Sequence, residues 1–408
     1  MKIAIINTTA RTSSIGKIAY GQYIKLQADG HDVHLFYGRN DDVQTESIHK
    51  IDTKAEILIH VFLARLTGLH GYYSTFATMR LLKKLQELKP DLVQLYNLHG
   101  YYINIGMLLK YLGKSNIPVV YSMLDEHPYL GRCCYSFDCN NFRDGCRNCS
   151  ISKKAYPRTW FFRLAKKFNK DKLIAYKGLN NSCYVGPQWV VERANESNLL
   201  RGNRFYCVDE YVDTEILFRP KEHYQYVNKE LINSEKKIVL SVAPYSDPRK
   251  GGKYFMQLAW MFREACEFQF VYIGMDVKGV ISPPNCIVKG FVSIQEELAE
   301  YYSLADVFVC TSLADTMPNV CLDSLACGTP VIGFDNTGIP YVAEGTQGVF
   351  VESGNVGELA KQINKVQKKT SDVINACRKY AVSRYSPETY YQKMIQIYEE
   401  MKDKRKNE

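Results

Sequence analysis

Short apolar runs recur along the chain and alternate with stretches of helical period, the pattern of strands buried on both faces of parallel sheets. The first series reads as strand KIAIINT (2–8), a loop, helix IAYGQYIKLQADG (18–30) and strand DVHLFYG (32–38), with Gly30 where a left-handed C-cap is expected. Strands DLVQLY (91–96) and PVVYSML (118–124) follow, separated by a helix near 103–114. A polar connector at 217–237 precedes a second series. It comprises strand IVLSVA (238–243), helix 252–265, strand FQFVYIG (268–274), helix SIQEELAEYYSLA (293–305), strand DVFVCTS (306–312), a helix opening at Pro318 and strand PVIGF (330–334). The interruption and restart predict an α/β fold of two Rossmann-like, doubly wound domains facing across a cleft. One is expected to take residues 1–207 with a C-terminal helix 386–408, the other residues 208–385. A chain of 408 residues exceeds a single ordinary core, which agrees with that division.

In open parallel sheets, ligands bind beyond the carboxyl ends of the strands. That rule selects the loops after Thr8, Tyr96, Leu124, Ala243, Gly274, Ser312 and Phe334. In SLADTMPNVCLDSLACGTPV (312–331), Asp315 falls on the loop, Pro318 and Asn319 open a helix, Asp323 lies inside it and Gly328 ends it. A helix N-terminus presents free N–H groups and a positive dipole end to a phosphate, and flanking carboxylates accept from sugar hydroxyls. The plain alternative makes Asp315 a helix cap and Asp323 a satisfied polar residue. The loop PYSDPRKGGK (244–253) sets Arg249 and Lys250 at a helix start, where a basic pair is unfavourable unless an anion binds. An ordinary basic helix start with a flexible glycine pair is the other reading. The first loop, TTARTSSIGKIAYG, is no phosphate-binding P-loop, because Ile18 follows Lys17. Gly16, Ser13 and Ser14 still permit close approach of a ligand to the backbone.

Composition narrows the setting. The net charge of +9 permits phosphate-bearing ligands or an anionic membrane surface. Neither finger spacing nor a reading helix accompanies it, so no nucleic-acid partner is expected. No apolar run reaches 18 residues, the start MKIAIINTTA is too short for a signal peptide, and thirteen cysteines do not make a secreted disulfide framework. A cytoplasmic protein is expected, with peripheral contact on the inner membrane face.

The loops LYNLHGYY (95–102) and SMLDEHPYLGRC (122–133) carry His99, Asp125, Glu126 and His127 as candidates for an acceptor side. Next comes CCYSFDCNNFRDGCRNC (133–149). Cys146-x-x-Cys149 with Cys139 and either Cys133 or Cys134 is a set for structural zinc, the alternative being reduced, packed thiols. Residues 153–172 are basic and are expected to form a helix with Trp160, Phe161, Leu164 and Phe168 on one face. Such a helix either lies on a membrane surface or packs on the sheet with its cations solvated.

These loops, in this order, resemble the retaining glycosyltransferases of family 4, of bacterial polysaccharide-biosynthesis type, which have the GT-B architecture. The family motif S-x-x-E-x-x-P-x-x-x-x-E-A-x-A-x-G-x-P-V is matched by SLADTMPNVCLDSLACGTPV with Asp in place of both Glu residues, and ADVFVCTS and GFDNTGIP fit its flanks. The resemblance implies that Asp315 faces the sugar of a nucleotide-diphosphate sugar donor, Asp323 its ribose and Lys250 its diphosphate. It further implies that SSIGK, with Gly16, is the N-terminal glycine loop, and that VKGFVS (288–293), with Phe291, lines the base. The family arginine falls on Pro244 or Tyr245, leaving Arg249 as a substitute, and the family histidine before Asp125 is Leu124, leaving His127. Some relatives carry a C-x(n)-G-C-x-x-C-P loop, where this chain has Ser150 for the proline. The implied activity is retaining transfer of a hexosyl group to a saccharide or lipid-linked saccharide, for a surface polysaccharide or glycolipid. In the family the donor phosphate helps take the acceptor proton, so no cofactor is required for catalysis and zinc is only structural. A GT-B enzyme of another kind, such as a 2-epimerase or phosphorylase, and a degenerate sugar-binding relative stay open.

Overall fold

The computed structural model describes residues 1–137, 139–149, 153 and 155–407, the side chains of 404–407 excepted. Two compact units result, Met1–Val208 with Tyr391–Glu408, and Asp209–Tyr390.

The first unit is built on seven strands, β1 (Lys2–Asn7), β2 (Asp32–Tyr37), β3 (Ile48–Lys50), β4 (Leu92–Leu95), β5 (Val119–Ser122), β6 (Ser182–Gly186) and β7 (Phe205–Cys207). All pairs are parallel, in the order β3-β2-β1-β4-β5-β6-β7. Parallel neighbours need crossovers, which helices such as Ser14–Ala28, Thr75–Leu88 and Ile105–Ser115 supply. The first helix starts four residues earlier than its apolar period predicts, because Ser13 caps it by accepting from Gly16 N–H at 2.9 Å. The C-terminal helix Pro387–Asn407 docks on this unit through buried Tyr398, whose hydroxyl donates to Gln94 at 3.0 Å and accepts from Gln22 at 3.1 Å.

The second unit has six parallel strands, β8 (Lys237–Val242), β9 (Phe268–Ile273), β10 (Cys286–Lys289), β11 (Val307–Cys310), β12 (Val331–Asp335) and β13 (Gly348–Glu352). Their order is β10-β9-β8-β11-β12-β13. Both sheets reverse direction once, between β1 and β4 and between β8 and β11, and such a reversal is where an open α/β sheet leaves a crevice.

Two expectations change. Residues 217–237 are no free connector: Phe218, Val227 and Leu231 are buried in the core of the second unit. Buried Glu300 accepts the N–H groups of Gln225, Tyr226 and Val227 at 2.7, 2.7 and 3.0 Å, which satisfies a stretch that has no ladder. Nor is 153–172 one helix. Helix begins only at Ala165, since Pro157 interrupts the segment and Trp160 N–H donates to Arg65 O at 2.8 Å instead of up a helical ladder. Phe168 is buried while Trp160 and Phe161 are exposed, so the four residues do not share a helical face. Lys154 of this stretch and Ser150 lie outside the described residues.

Candidate functional site

In the second unit the loops after β8 and β11 run side by side at the reversal. Leu313 N–H donates to Arg249 O at 2.7 Å. Gly251 sits at φ +67°, and a Cβ there would lie 1.8 Å from Thr311 O, so the glycine is demanded by both conformation and space. Asp247 caps the short turn Pro248–Lys250 by accepting from Arg249 N–H at 3.0 Å. This scaffold aims two cations at one carboxylate. Lys250 Nζ lies 2.5 Å from Asp315 Oδ2 and Arg249 Nη1 lies 3.5 Å from the same oxygen. Arg249 also donates to Ala314 O at 2.9 Å and pairs with Asp247 at 3.2 Å.

The loop after β12 fixes Asp315 from its other side. Asp315 N–H donates to Thr337 Oγ1 at 2.9 Å, and its carbonyl accepts from that hydroxyl at 2.8 Å and from Gly338 N–H at 2.9 Å. Side-chain exposures of 11% for Asp315, 16% for Arg249 and 21% for Lys250 make this a largely desolvated cluster. Two cations packed beside Asp315 and Asp247, in a largely desolvated site at the carboxyl ends of the strands, are groups that stabilise an anion.

The helix Asn319–Ala326 starts beside this cluster, with Pro318 as its N-cap, no side-chain cap and no acid in its first turn. Asp315 therefore does not cap it. Asn319 Oδ1 is buried and has no hydrogen-bond partner among the described residues. Asp323 lies within the helix and is half-buried. Burial, and then the Asp323 carboxylate, push up the Tyr302 phenol and the Cys327 thiol, the latter to about 12. Phe291, after β10, is 87% exposed, an aromatic face open to stacking, while its neighbour Lys289 is held by Glu297 at 2.5 Å and Tyr301 at 3.0 Å.

The first unit gathers a second cluster. His99, after β4, pairs through Nε2 with the Asp125 carboxylate, after β5, and its Nδ1 lies 3.2 Å from the Tyr156 hydroxyl. Asp125 also accepts His127 N–H at 2.9 Å. Leu124 leaves Asp125 without an adjacent histidine in sequence, and His99 comes from the next loop to meet it. His127 and Glu126 are 1% exposed and brace the backbone. Glu126 accepts from Ser136 N–H at 2.9 Å, from the Ser136 hydroxyl and from Tyr129 Oη at 3.0 Å, while burial raises its pKa. Burial, and then the Lys172 charge, hold His127 well below its usual pKa, in the neutral form. Gly16 is buried, and a Cβ there would lie 2.5 Å from Thr9 Oγ1, so its close approach is to the chain itself.

Sequence reasoning missed Asp41, Lys172 and Tyr156 as participants. Asp41, 4% exposed, shapes the loop after β1 by accepting from Ala10 N–H at 2.8 Å and Thr12 Oγ1 at 3.1 Å. Lys172 donates to His127 O at 2.6 Å and Leu130 O at 3.1 Å. Tyr156 completes the surroundings of His99 together with Cys134, which the sequence offered only as an alternative zinc ligand. Asp41, Lys172 and Tyr156 had no local signal, because the role of each depends on loops far apart in the chain. Among the described residues, the metal-ligating atoms that converge within 4.8 Å of one another are those of His99, Asp125 and Cys134. Cys133, Cys139, Cys146 and Cys149, the set expected for zinc, are neighbours at a longer range: burial raises the Cys146 thiol first, with Cys139 and Cys149 adding to it.

Known proteins show the same motif-bearing region. Residues 236–369 match the family model for glycosyl transferases group 1. This stretch holds the Arg249–Lys250–Asp315 cluster, Asp323 and Phe291. A D-inositol 3-phosphate glycosyltransferase of Streptomyces bingchenggensis is 34% identical over 73 residues, 18% of this chain and 16% of that protein. The putative colanic acid biosynthesis glycosyl transferase WcaC of Escherichia coli K12 is 22% identical over 284 residues, 67% of this chain and 66% of that protein. The chain thus spans under two thirds of the length of these relatives. Anabaena Alr3699/HepE, crystallised with UDP-glucose, superposes with a TM-score of 0.62 at 13% identity, over 97% of this chain and 99% of that one, which shows the fold. Two parallel-sheet, Rossmann-like units of the GT-B kind are present. Among the described residues no helix is long and apolar enough to cross a membrane.

Proposed function

We propose that the protein is a retaining glycosyltransferase of family 4. It moves a hexosyl group from a nucleotide-diphosphate sugar to a saccharide or lipid-linked saccharide in the assembly of a surface polysaccharide or glycolipid. The observation that carries this is the pair of cations on Asp315 at the β8–β11 reversal, beside an uncapped helix start. Cleaving the anomeric bond leaves a diphosphate whose growing charge needs fixed, desolvated cations, and Lys250 and Arg249 are such groups. The N–H groups at Asn319 add a dipole of the same sign. Asp315, next to the diphosphate site, accepts from donor sugar hydroxyls; Asp323, inside the helix Asn319–Ala326, accepts from the ribose; Phe291 stacks on the base. In this reading His99 and Asp125 orient the acceptor, and the donor phosphate takes the acceptor proton.

The names of the relatives agree in direction. WcaC is named for colanic acid biosynthesis, and the Anabaena protein was crystallised with a UDP-sugar. A structural zinc on Cys133, Cys139, Cys146 and Cys149 belongs to the same reading. Its support is the sequence alone, in which these four cysteines share one loop and two of them stand as C-x-x-C. The ion would tie the loop down and take no part in transfer.

The test is incubation with a panel of nucleotide-sugars and polysaccharide fragments, following nucleoside diphosphate release and the anomeric configuration of the product. Release with retention supports the reading. A rearranged nucleotide-sugar without release would assign an epimerase, and binding without turnover a sugar-binding relative.

A further inference from the structure

The helix Lys54–Thr67 is well made but turned outward. A capping box of Thr53 and Glu56 starts it and left-handed Gly68 ends it. Its buried face consists only of His60 and Ala64. Its largest apolar side chains point to solvent: Leu58, Ile59, Phe62 and Leu66 are 68%, 58%, 54% and 37% exposed. Leu58, Phe62 and Leu66 are spaced at four, so they form one continuous line along the helix. The segment 159–162 extends that line. Trp160 packs edge-on to Phe62 with ring centroids 5.8 Å apart, and its N–H is bonded to Arg65 O at 2.8 Å. Phe162 O lies so near Gly68 that a Cβ there would be 2.4 Å away. Trp160, Phe161 and Phe162 are 48%, 56% and 55% exposed. Seven large apolar side chains on one ridge exceed the scattered exposure of an ordinary surface.

Charge says what covers the ridge. Just past Phe162 lies an open pocket of about 720 Å³ lined by Arg147, Arg163, Lys166, Lys167 and Lys170, with Asp171 as the acid among them. Asp171 is bonded to Lys167 at 2.7 Å, and Arg147, Lys166 and Lys170 make no ion pair among the described residues. Two of these lysines stand in the first turn of the helix Ala165–Lys177, which has no acid there, so they face a dipole end of their own sign. An aromatic and aliphatic ridge bordered by unneutralised cations complements an anionic bilayer, with rings in the interfacial zone and cations on lipid phosphates.

We infer that the Leu58–Phe62–Leu66 face, with Trp160, Phe161 and Phe162, seats the first unit on an anionic membrane. The adjacent basic pocket takes up lipid phosphate groups. The inference is independent of the transfer reaction, since adsorption is measured without donor or acceptor.

The experiment is co-sedimentation of the full chain with phosphatidylcholine vesicles, with and without phosphatidylglycerol. The protein is expected to sediment with the anionic vesicles and to remain soluble with phosphatidylcholine alone. Adding salt weakens the association. The double variant Leu58→Ser, Phe62→Ser loses it about tenfold or more, while Phe62→Trp keeps it. Removing exposed apolar groups does not open the core, and the circular dichroism and melting temperature of the double variant verify that. If the wild type ignores anionic vesicles, or the double variant sediments equally well, the inference is wrong. A concentration-dependent dimer abolished by the same double variant would assign the face to a second copy and overturn it too.

Discussion

Lys250 Nζ and Asp315 Oδ2 are 2.5 Å apart, the cation from the loop after β8 and the carboxylate from the loop after β11. Arg249 lies 3.5 Å from the same oxygen and 3.2 Å from Asp247, so two carboxylates hold the two cations in place where a donor diphosphate would meet them. Lys250→Ala is therefore expected to lower kcat/KM by about 10²- to 10³-fold, mostly in kcat, because the leaving diphosphate loses a fixed charge in a desolvated site. Steady-state kinetics with the donor found in the panel check this. An unchanged rate would remove Lys250 from the account, and normal turnover in Asp315→Asn would remove Asp315.

The geometry of that pair rests on Gly251. Alanine there combines a left-handed conformation with a methyl group 1.8 Å from Thr311 O. The loop after β8 must then move away from β11. The expected result for Gly251→Ala is a loss of about 2 kcal/mol or more in the second unit, together with an activity loss comparable to that of Lys250→Ala. Urea unfolding and kinetics on the same preparation test it; full activity would show that the clamp tolerates displacement.

Most of this arrangement was legible because fully buried strands read as apolar runs and the chemistry follows at their ends. Lys250, Asp315 and Pro318 fall just past such runs, so the sheet order alone brings them together. Other features had no such signal. The helix Lys54–Thr67 has a clear period, but period does not say whether an apolar stripe faces in or out. Residues 153–172 have helical spacing too, yet Trp160 N–H goes to Arg65 O, a competing partner distant in sequence. The His99–Asp125 pair joins two loops 26 residues apart, which no local pattern reveals.

That pair makes its own prediction. Asp125 orients the His99 ring through Nε2, and Tyr156 stands at Nδ1. Asp125→Asn and His99→Asn are each expected to lower transfer about 10²-fold while leaving the donor KM within about twofold, since the donor groups lie on other loops. A raised donor KM with unchanged kcat would move the pair to the donor side.

Metal content separates the two thiol groups. About one zinc per chain is expected in purified protein, lost in Cys146→Ser and retained in Cys134→Ser. Retention in Cys146→Ser with loss in Cys134→Ser would put the ion on His99, Asp125 and Cys134 instead. No zinc in the wild type would leave all these thiols as packed groups.

Alkaline pH should destabilise the second unit through its buried thiols. Burial pushes Cys286 and Cys327 up to about 12 and Cys377 up to about 11, from an ordinary value of 9.0. A raised folded pKa means that the native state holds protons the unfolded chain releases, so stability falls as pH rises above 9. Lys369 acts oppositely. Burial lowers it from 10.5 to about 8, so the unfolded chain binds the extra proton between those values and stability rises with pH. Each pH step above 9 costs about 1.4 kcal/mol per thiol and returns about the same for the lysine. Three thiols outweigh one lysine, so stability is expected to be nearly flat from pH 8 to 9 and to fall above 9. Cys327→Ala should make that fall shallower and Lys369→Met should make it steeper. Urea midpoints taken from pH 8 to 10.5 read the slopes, and a rising wild-type curve above pH 9 would contradict the balance.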